Sequence, residues 1–336
     1  MSKVRIAING FGRIGRCVLR AVYEYGMDNV EIVAINGPAE ITQHIHLLMF
    51  DSVHGRFCKN VTSDGDDFII DGKKIPLIRE KDPEKINWSK YNVDIVLECT
   101  GKLTSRIEAE KHIKAGAKKV MISAPAKEKD VKTVVFGVNN EILSKDDALI
   151  SIGSCTTNCL APIAKVLNDT FGIEKGFMTT IHSYTGDQNN VDGSHKDLRR
   201  ARACGVSMVP TSTGAAKAIG IVIPEIAGKL DGSAIRVPTP NVSVVDLTVI
   251  TTKSATAEEI NLSMKVASES SLNGVLGYES RELVSVDFNH CKESSIFDSK
   301  ETKVVGGNFV RVLAWYDNEW AFSVRMLDIA QLWHSL

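Results

Sequence analysis

The sequence predicts an α/β chain with two different sheets, a doubly wound parallel sheet in the first half and an α+β region with an antiparallel sheet in the second. Three observations carry this. Short, nearly continuous β-branched runs alternate with amphipathic stretches over the first 150 or so residues of the 336, which is how strands covered on both faces read. Beyond that point long strand candidates follow one another with few helices between them, the habit of an antiparallel sheet. A glycine-rich turn, "INGFGRIGR", joins the first run to the first amphipathic stretch.

Taken in order, strands are expected over 4–8, 30–35, 93–98, 120–123, 134–138 and 148–152, with a helix over 14–25. A helix is expected to start at Cys155. The second half then offers strands over 176–184, 235–238, 242–252, 283–288 and 308–316, and a helix over 257–269. The last segment, 320–336, spaces Phe322, Met326, Ile329 and Leu332 at a helical period. No internal repeat or low-complexity tract interrupts the pattern.

Hydrophobic residues make up 43% and charged residues 24% of the chain, enough of each for two globular domains with cores of their own. The formal net charge of −1 gives no electrostatic case for nucleic acid or a membrane as the main partner. No apolar run approaches the roughly 20 residues of a spanning helix, and the start lacks the pattern of a signal peptide, so a cytoplasmic location is expected. Seven cysteines, an odd number scattered over a long chain, argue for reduced thiols.

The glycines of the turn, Gly10, Gly12 and Gly15, follow G-x-G-x-x-G spacing between a strand and a helix. Gly10 permits the tight turn, Gly12 lets the backbone approach a pyrophosphate, and Gly15 lets helix and strand pack closely, with the phosphates at the helix N-terminus. This is the fingerprint of a Rossmann dinucleotide-binding unit. The same fingerprint calls for an acidic residue at the end of the second strand to hold the adenosine ribose. Gly37 stands there, with no Arg or Lys beside it in the sequence and Glu40 close by, which leaves NAD and NADP both open.

In "SIGSCTTNCLAP" two cysteines lie four residues apart. Cys155 at a helix N-terminus would meet unpaired N–H groups and a partial positive charge, both of which favour thiolate. Cys159, one turn further in, reads as a small buried hydrophobe. Zinc would need further ligands nearby, and no metal site is expected. Among the histidines, His182 in "TTIHSYTGDQ" is the candidate base, with a packed core histidine as the alternative. Thr185, Arg199, Arg200, Thr213, Gly214 and Arg236 supply the hydroxyls, turn and guanidinium groups that hold phosphate. His44 and His46 lack such company and read as packing or solvent-facing residues.

With "INGFGRIGR", "SCTTNCLAP", "HSYT", "PTSTGAAKA", "RVPTPNVSVVDLT" and "WYDNEW" in this order, the chain resembles the phosphorylating glyceraldehyde-3-phosphate dehydrogenases from end to end. The resemblance implies a dinucleotide-binding domain over 1–154, a catalytic domain over 155–318 and a C-terminal helix, 319–336, returning to the first domain. It makes Cys155 the nucleophile and His182 its base. Ser154, Thr156, Arg200, Thr213 and Gly214 would form one anion site, and Thr185 with Arg236 another, for the substrate phosphate and inorganic phosphate. Asn9 and the glycine turn, Arg13 and Ile14 would meet the cofactor; Thr100, Gly101 and Ser123 would line its path. Lys81 would lie on the adenine side, and Asn318 would hold the nicotinamide carboxamide.

The resemblance further implies oxidation of glyceraldehyde 3-phosphate to an acyl phosphate through a cysteine thioester, NAD as the first expected hydride acceptor with NADP as the alternative, and a homotetramer. Gly37 and the Gly193-Ser194 pair depart from the pattern of NAD-specific members and resemble the NADP-accepting branch. Erythrose-4-phosphate dehydrogenase is the nearest rival, and it should lack the "STGAAK" loop that is present here. A nucleotide-binding regulatory protein on the same fold would be expected to lose Cys155, His182 or an anion-site arginine, and all are kept.

Overall fold

The computed structural model describes residues 3–336; Met1 and Ser2, where the expected first domain begins, lie outside the described residues. The chain divides into two compact units. One comprises Met1–Val134, Asn140–Gly153 and Ser323–Leu336, the other Val135–Asn139 and Ser154–Phe322.

The first unit is built on a seven-stranded sheet in the order Lys132–Thr133, Leu149–Ser151, Lys119–Ile122, Ile95–Glu98, Val4–Asn9, Val30–Asn36, Leu77–Ile78. Every pairing in it is parallel. The chain order reverses beside Val4–Asn9, so the carboxyl ends of Val4–Asn9 and its neighbours mark the switch point where such sheets bind ligands. The strands are apolar on both faces: Ile6, Ala7 and Ile8 are all buried, as are Ile95, Val96 and Leu97. Helices α1 (Arg13–Glu24), α2 (Ile41–Met49) and α3 (Arg106–Lys114) belong to this unit. A capping box between Ser105 and Glu108 starts α3. In contrast, α1 starts at Gly12 with no side-chain cap and no acidic residue in its first turn.

The expected strand over 134–138 is not one. The strand is Lys132–Thr133, two residues long. It stops because the backbone turns at Val135, whose N–H donates to Asn139 Oδ1 at 2.7 Å, and Val138 N–H returns to Val135 O at 3.0 Å.

The second unit holds an eight-stranded sheet ordered Val209–Ser212, Leu230–Val237, Ile173–Ser183, Ser243–Thr251, Phe309–Tyr316, Ser295–Asp298, Leu276–Glu279, with Lys303–Val305 also paired to Phe309–Tyr316. The sheet is antiparallel in most of its pairings, as expected, and mixed through two of them. Ile173–Ser183 runs parallel to Leu230–Val237, and Leu276–Glu279 parallel to Ser295–Asp298. A parallel neighbour needs a long crossover, and the chain between Ser183 and Leu230 supplies one that includes α5 (Ala215–Val222). The expected strand over 283–288 forms only a short 3-10 turn, Ser285–Phe288, with Val284 and Val286 exposed.

Helix α4 (Cys155–Phe171) runs through the core of this unit, where Leu160, Ile163, Ala164 and Leu167 are fully buried and pack with Ile219, Val245, Leu247 and Met264. Helix α6 spans Ala257–Glu269, as the pattern predicts, with a capping box between Thr256 and Glu259. Helix α7 spans Trp320–Ser335.

Candidate nucleotide pocket and thiol site

In the first unit a cavity of about 1000 Å³ opens at the switch point, lined among others by Asn9, Gly10, Phe11, Gly12, Asn36, Gly37, His44, Lys81 and Thr100. Backbone shape makes the room. Gly10 has φ +97°, and a Cβ on it would come within 2.7 Å of Thr100 N. A Cβ on Gly15 would lie 2.3 Å from Gly10 O, so α1 can start this close to the turn only as glycine. The uncapped α1 N-terminus leaves backbone N–H groups and the positive end of the helix to whatever sits in the turn. A cradle that any side chain would fill, ending at an open helix N-terminus, fits the pyrophosphate of a dinucleotide.

At the pocket floor lies a buried polar chain in which the expected Asn9 and Thr100 are joined by Asn36, Glu98, His112 and Trp88, which no motif marks. Asn36 donates to Asn9 Oδ1 at 2.7 Å, and Asn9 to Glu98 Oε2 at 2.5 Å. Glu98 also accepts from Thr100 N at 2.8 Å and meets His112 Nε2 at 3.1 Å; Trp88 Nε1 donates to His112 Nδ1 at 3.1 Å. These groups fix the pocket floor because a carboxylate buried this deeply must be fully hydrogen-bonded.

Other expected cofactor residues stand elsewhere. The Arg13 side chain forks onto Asp51, at 2.5 and 3.1 Å, and holds that carboxyl below its ordinary range. Ser123 Oγ donates to Glu98 O at 2.8 Å. Gly101 has φ +67°, and Ile14 lies in the first turn of α1. Asn318 belongs to the second unit, where Ser243 donates to its Oδ1 at 2.8 Å. Arg79, which the sequence places well away from Gly37, is brought beside it: Gly37 N–H donates to Ile78 O at 2.9 Å, and the Arg79 guanidinium pairs with Glu40. The expectation of no basic residue near Gly37 is therefore corrected, because the sheet pairing of Asn36 with Ile78 does what sequence distance hides.

In the second unit Cys155 is the first residue of α4. Ser154 caps the helix, its Oγ accepting from Thr157 N at 3.1 Å, and Cys155 sits half-buried in the first turn. Cys155 Sγ lies 3.5 Å from His182 Nε2, so the strand Ile173–Ser183 brings the expected base to the expected nucleophile. His182 Nδ1 is 2.7 Å from Ser183 O and 2.8 Å from Arg236 Nη1. Arg236 Nη1 also donates to Ser183 O at 2.9 Å. A ring proton on Nδ1, donated to Ser183 O, leaves Nε2 with its lone pair toward the thiol, whereas Nδ1 accepting from Arg236 Nη1 puts the proton on Nε2; the base role needs the first of these tautomers.

Burial first, then the Arg236 charge and that of Arg200, hold His182 at a pKa of about 3. Burial pushes the Cys155 thiol up, against the pull of Arg236, Thr156 and the backbone N–H of Cys155. The thiolate-favouring helix start is thus outweighed by burial, and the pair rests as neutral thiol and neutral imidazole.

Around this pair, Arg236 Nη1 reaches Thr185 Oγ1 at 3.5 Å, and the buried Nε of Arg236 has no hydrogen-bond partner. Arg200 is held by Asp187 at 2.5 Å and by Thr211 Oγ1 at 3.0 Å. Thr213 Oγ1 accepts from Ala215 N at 3.2 Å, and Gly214 is the uncapped start of α5. Ser154 and Thr156 have their hydroxyls engaged, the second with Tyr316 Oη at 2.9 Å. Tyr316 also meets Thr180 Oγ1 at 2.9 Å and sets its ring edge-on to His182, centroids 5.9 Å apart. Cys159 is buried, its Sγ facing Ser295 Oγ at 3.6 Å and Ala314 O at 3.7 Å, a packing role.

A dinucleotide-type parallel sheet and a cysteine–histidine unit in one chain define an oxidoreductase of the nucleotide-dependent, thiol-bearing class. Comparison with known proteins narrows this. The family model described as the glyceraldehyde 3-phosphate dehydrogenase NAD binding domain matches residues 4–106, and that of the C-terminal domain matches residues 154–318. The chain is 55% identical to glyceraldehyde-3-phosphate dehydrogenase of Xanthobacter flavus, with 97% of each chain covered. It is 54% identical to that of Cereibacter sphaeroides, over 97% of each, and 52% identical to glyceraldehyde-3-phosphate dehydrogenase 1 of Bacillus subtilis, over 97% of each. The chain belongs to the glyceraldehyde 3-phosphate dehydrogenase family.

Proposed function

We propose that the chain oxidises glyceraldehyde 3-phosphate with NAD and inorganic phosphate to an acyl phosphate, through a thioester on Cys155. The observation that carries this is the approach of Cys155 Sγ to His182 Nε2, 3.5 Å, at the start of α4 and beside Arg236. The pocket residues Asn9, Gly10, Gly12, Gly37, Lys81 and Thr100 would hold NAD, which supplies a hydride acceptor. Arg13, Ile14, Gly15, Gly101, Ser123 and Asn318 complete the proposed cofactor set.

His182 Nε2 takes the thiol proton as the Cys155 sulfur adds to the aldehyde carbon; the backbone N–H of Cys155 supports the developing oxyanion, and the proton passes from His182 to that oxygen to give the hemithioacetal hydroxyl. As the C–H bond of the resulting hemithioacetal gives up its hydride, His182 takes the hydroxyl proton at Nε2, and a thioester remains. The ring charge this creates is disfavoured by Arg236, so His182 holds the proton loosely and is ready to give it to the sulfur that leaves in the next step. Inorganic phosphate then attacks the thioester carbon, and the Cys155 sulfur leaves as thiolate, regaining a proton from His182. Arg236 with Thr185, and Arg200 with Ser154, Thr156, Thr213 and Gly214, are the proposed sites of the two phosphate groups; the orphaned Nε of Arg236 is a donor in want of one.

A homotetramer is part of the proposal. Val191, Leu198, Val206 and Met208 expose apolar side chains along one connection, which is surface suited to burial between copies. Cytoplasmic location, without nucleic acid or membrane partners, is proposed as well; among the described residues no helix is long and apolar enough to cross a membrane.

Initial rates with glyceraldehyde 3-phosphate test the reading: reduction of NAD should require phosphate and yield an acid-labile acyl phosphate. Rates independent of phosphate would favour the erythrose-4-phosphate dehydrogenase reading. Cys155→Ser should abolish acyl transfer while NAD binding persists, and substantial dehydrogenase activity in that variant would overturn the mechanism.

A further inference from the structure

The end of the pocket beside Gly37 is occupied in an unusual way. Where a side chain at this position would begin, the structure places a histidine ring: a Cβ on Gly37 would lie 2.8 Å from His44 Nε2 and 3.0 Å from its Cε1. His44 sits on the buried face of α2 with Ile41 and Leu48, is 4% exposed, and lines the cavity. Its ring packs edge-on to Phe11, centroids 5.4 Å apart, and is tilted against Phe68 at 6.4 Å. Neither ring nitrogen meets the geometry of a full hydrogen bond, the Gly37 backbone being the one polar neighbour that acts on the ring. A buried imidazole left this poorly paired at the wall of a large cavity is a polar group open to a ligand.

The position identifies the ligand group. In a parallel sheet of this kind the residue at the end of the second strand faces the adenosine ribose of a bound dinucleotide, where an acidic side chain usually takes the 2′-hydroxyl. Here that strand, Val30–Asn36, ends before Gly37. We propose that His44 is the specificity-determining residue for the adenosine ribose, its ring reaching from α2 into the space vacated at Gly37 to hydrogen-bond the 2′-substituent. This rests on the NAD reading above and deepens it.

A neutral imidazole carries one donor and one acceptor, the complement of a hydroxyl. Burial holds the ring below its ordinary value, with Arg16 and Arg79 acting in the same direction and the Gly37 backbone opposing, so the neutral form prevails. Unlike a carboxylate, it presents no charge to repel a 2′-phosphate. Positive charge is also at hand: Arg16 and Lys81 line the cavity, and Arg79, paired with Glu40, acts on the ring from beside it. The imidazole therefore reads the 2′-hydroxyl without excluding its phosphorylated form.

Titration calorimetry with AMP, 2′-deoxy-AMP and adenosine 2′,5′-bisphosphate tests this without any turnover. The wild-type chain should prefer AMP to 2′-deoxy-AMP by about 5- to 10-fold, the worth of one hydrogen bond, and should accept the bisphosphate within about 10-fold of AMP. His44→Leu should bring the AMP to 2′-deoxy-AMP ratio close to one while iodoacetamide still alkylates Cys155 at the wild-type rate. Gly37→Ala, which displaces the ring with His44 intact, should lower the same ratio, and it serves if the leucine variant fails to fold. A ratio unchanged in either folded variant, or absent from the wild type, overturns the role of His44. Failure of the wild type to bind any of the three nucleotides would instead overturn the NAD reading.

Discussion

At the scale of single residues the thiol site is an electrostatic arrangement around one guanidinium. Arg236 is half-buried, its Nη1 between His182 and Thr185; its charge pulls the Cys155 thiol down and the His182 imidazole down with it. Removing the charge should relax both. In Arg236→Gln the pH midpoint of Cys155 alkylation by iodoacetamide should therefore rise, by about one unit for a nearby opposite charge lost, and alkylation at neutral pH should slow by about tenfold. Arg236→Lys should restore part of the rate; a midpoint that falls or stays in the glutamine variant would remove Arg236 from this role. Cys155 and His182 were legible in the sequence because each sits in a distinctive local string. His44, Arg79 and Tyr316 were not, since what makes each of them matter is a partner supplied by another element: Gly37, Glu40 and the Thr156–Thr180 pair. Nothing in a local window distinguishes a histidine in an apolar helical stripe from a packing residue.

At the scale of elements, the start of α4 is fastened at three points, the Ser154 cap, the Tyr316 hydroxyl that joins Thr156 to Thr180, and the apolar face sunk in the core. Ser154→Ala should cost about 1 kcal/mol of stability as the cap is lost. Tyr316→Phe should cost about 1–3 kcal/mol by stranding two buried hydroxyls, and both are measurable by urea denaturation; no loss in the phenylalanine variant would mean that the two threonines re-pair without it. In the first unit, Gly15→Ala forces a Cβ against Gly10 O and should abolish nucleotide binding by calorimetry. The parallel sheet could be read from continuous apolar runs because both its faces are covered. The direction of strands in the second sheet could not, since Leu230–Val237 runs parallel to Ile173–Ser183 only by virtue of the connection carrying α5. The 283–288 run fails as a strand because its β-branched residues face solvent.

At the scale of the whole molecule, each unit buries a neutral histidine at its site, His44 in the first and His182 in the second. That the last residues, Ser323–Leu336, group with the first unit was implied only by resemblance, because a helical period says nothing of which core it joins. The buried histidines couple stability to pH with a definite sign. His182 titrates at about 3 in the folded chain, against an ordinary value of 6.5. The unfolded chain therefore binds more protons than the folded one between these values, and stability must fall as pH drops through that window while remaining level above it. His44, also held below 6.5, acts in the same direction. Carboxylates held low, such as Glu279 at about 2, lose their contribution only below about pH 4.5, so the interval from pH 6.5 to pH 5 isolates the histidines. Over that interval His182 should account for about 1–2 kcal/mol of the lost stability. Urea denaturation at pH 7.5, 6.5, 5.5 and 5.0 should show this decline in the wild type and a shallower one in His182→Asn, whose side chain binds no proton. Parallel curves for the two proteins would mean that His182 is not buried in its neutral form, and with that the base-ready imidazole on which the thiol chemistry depends would be lost.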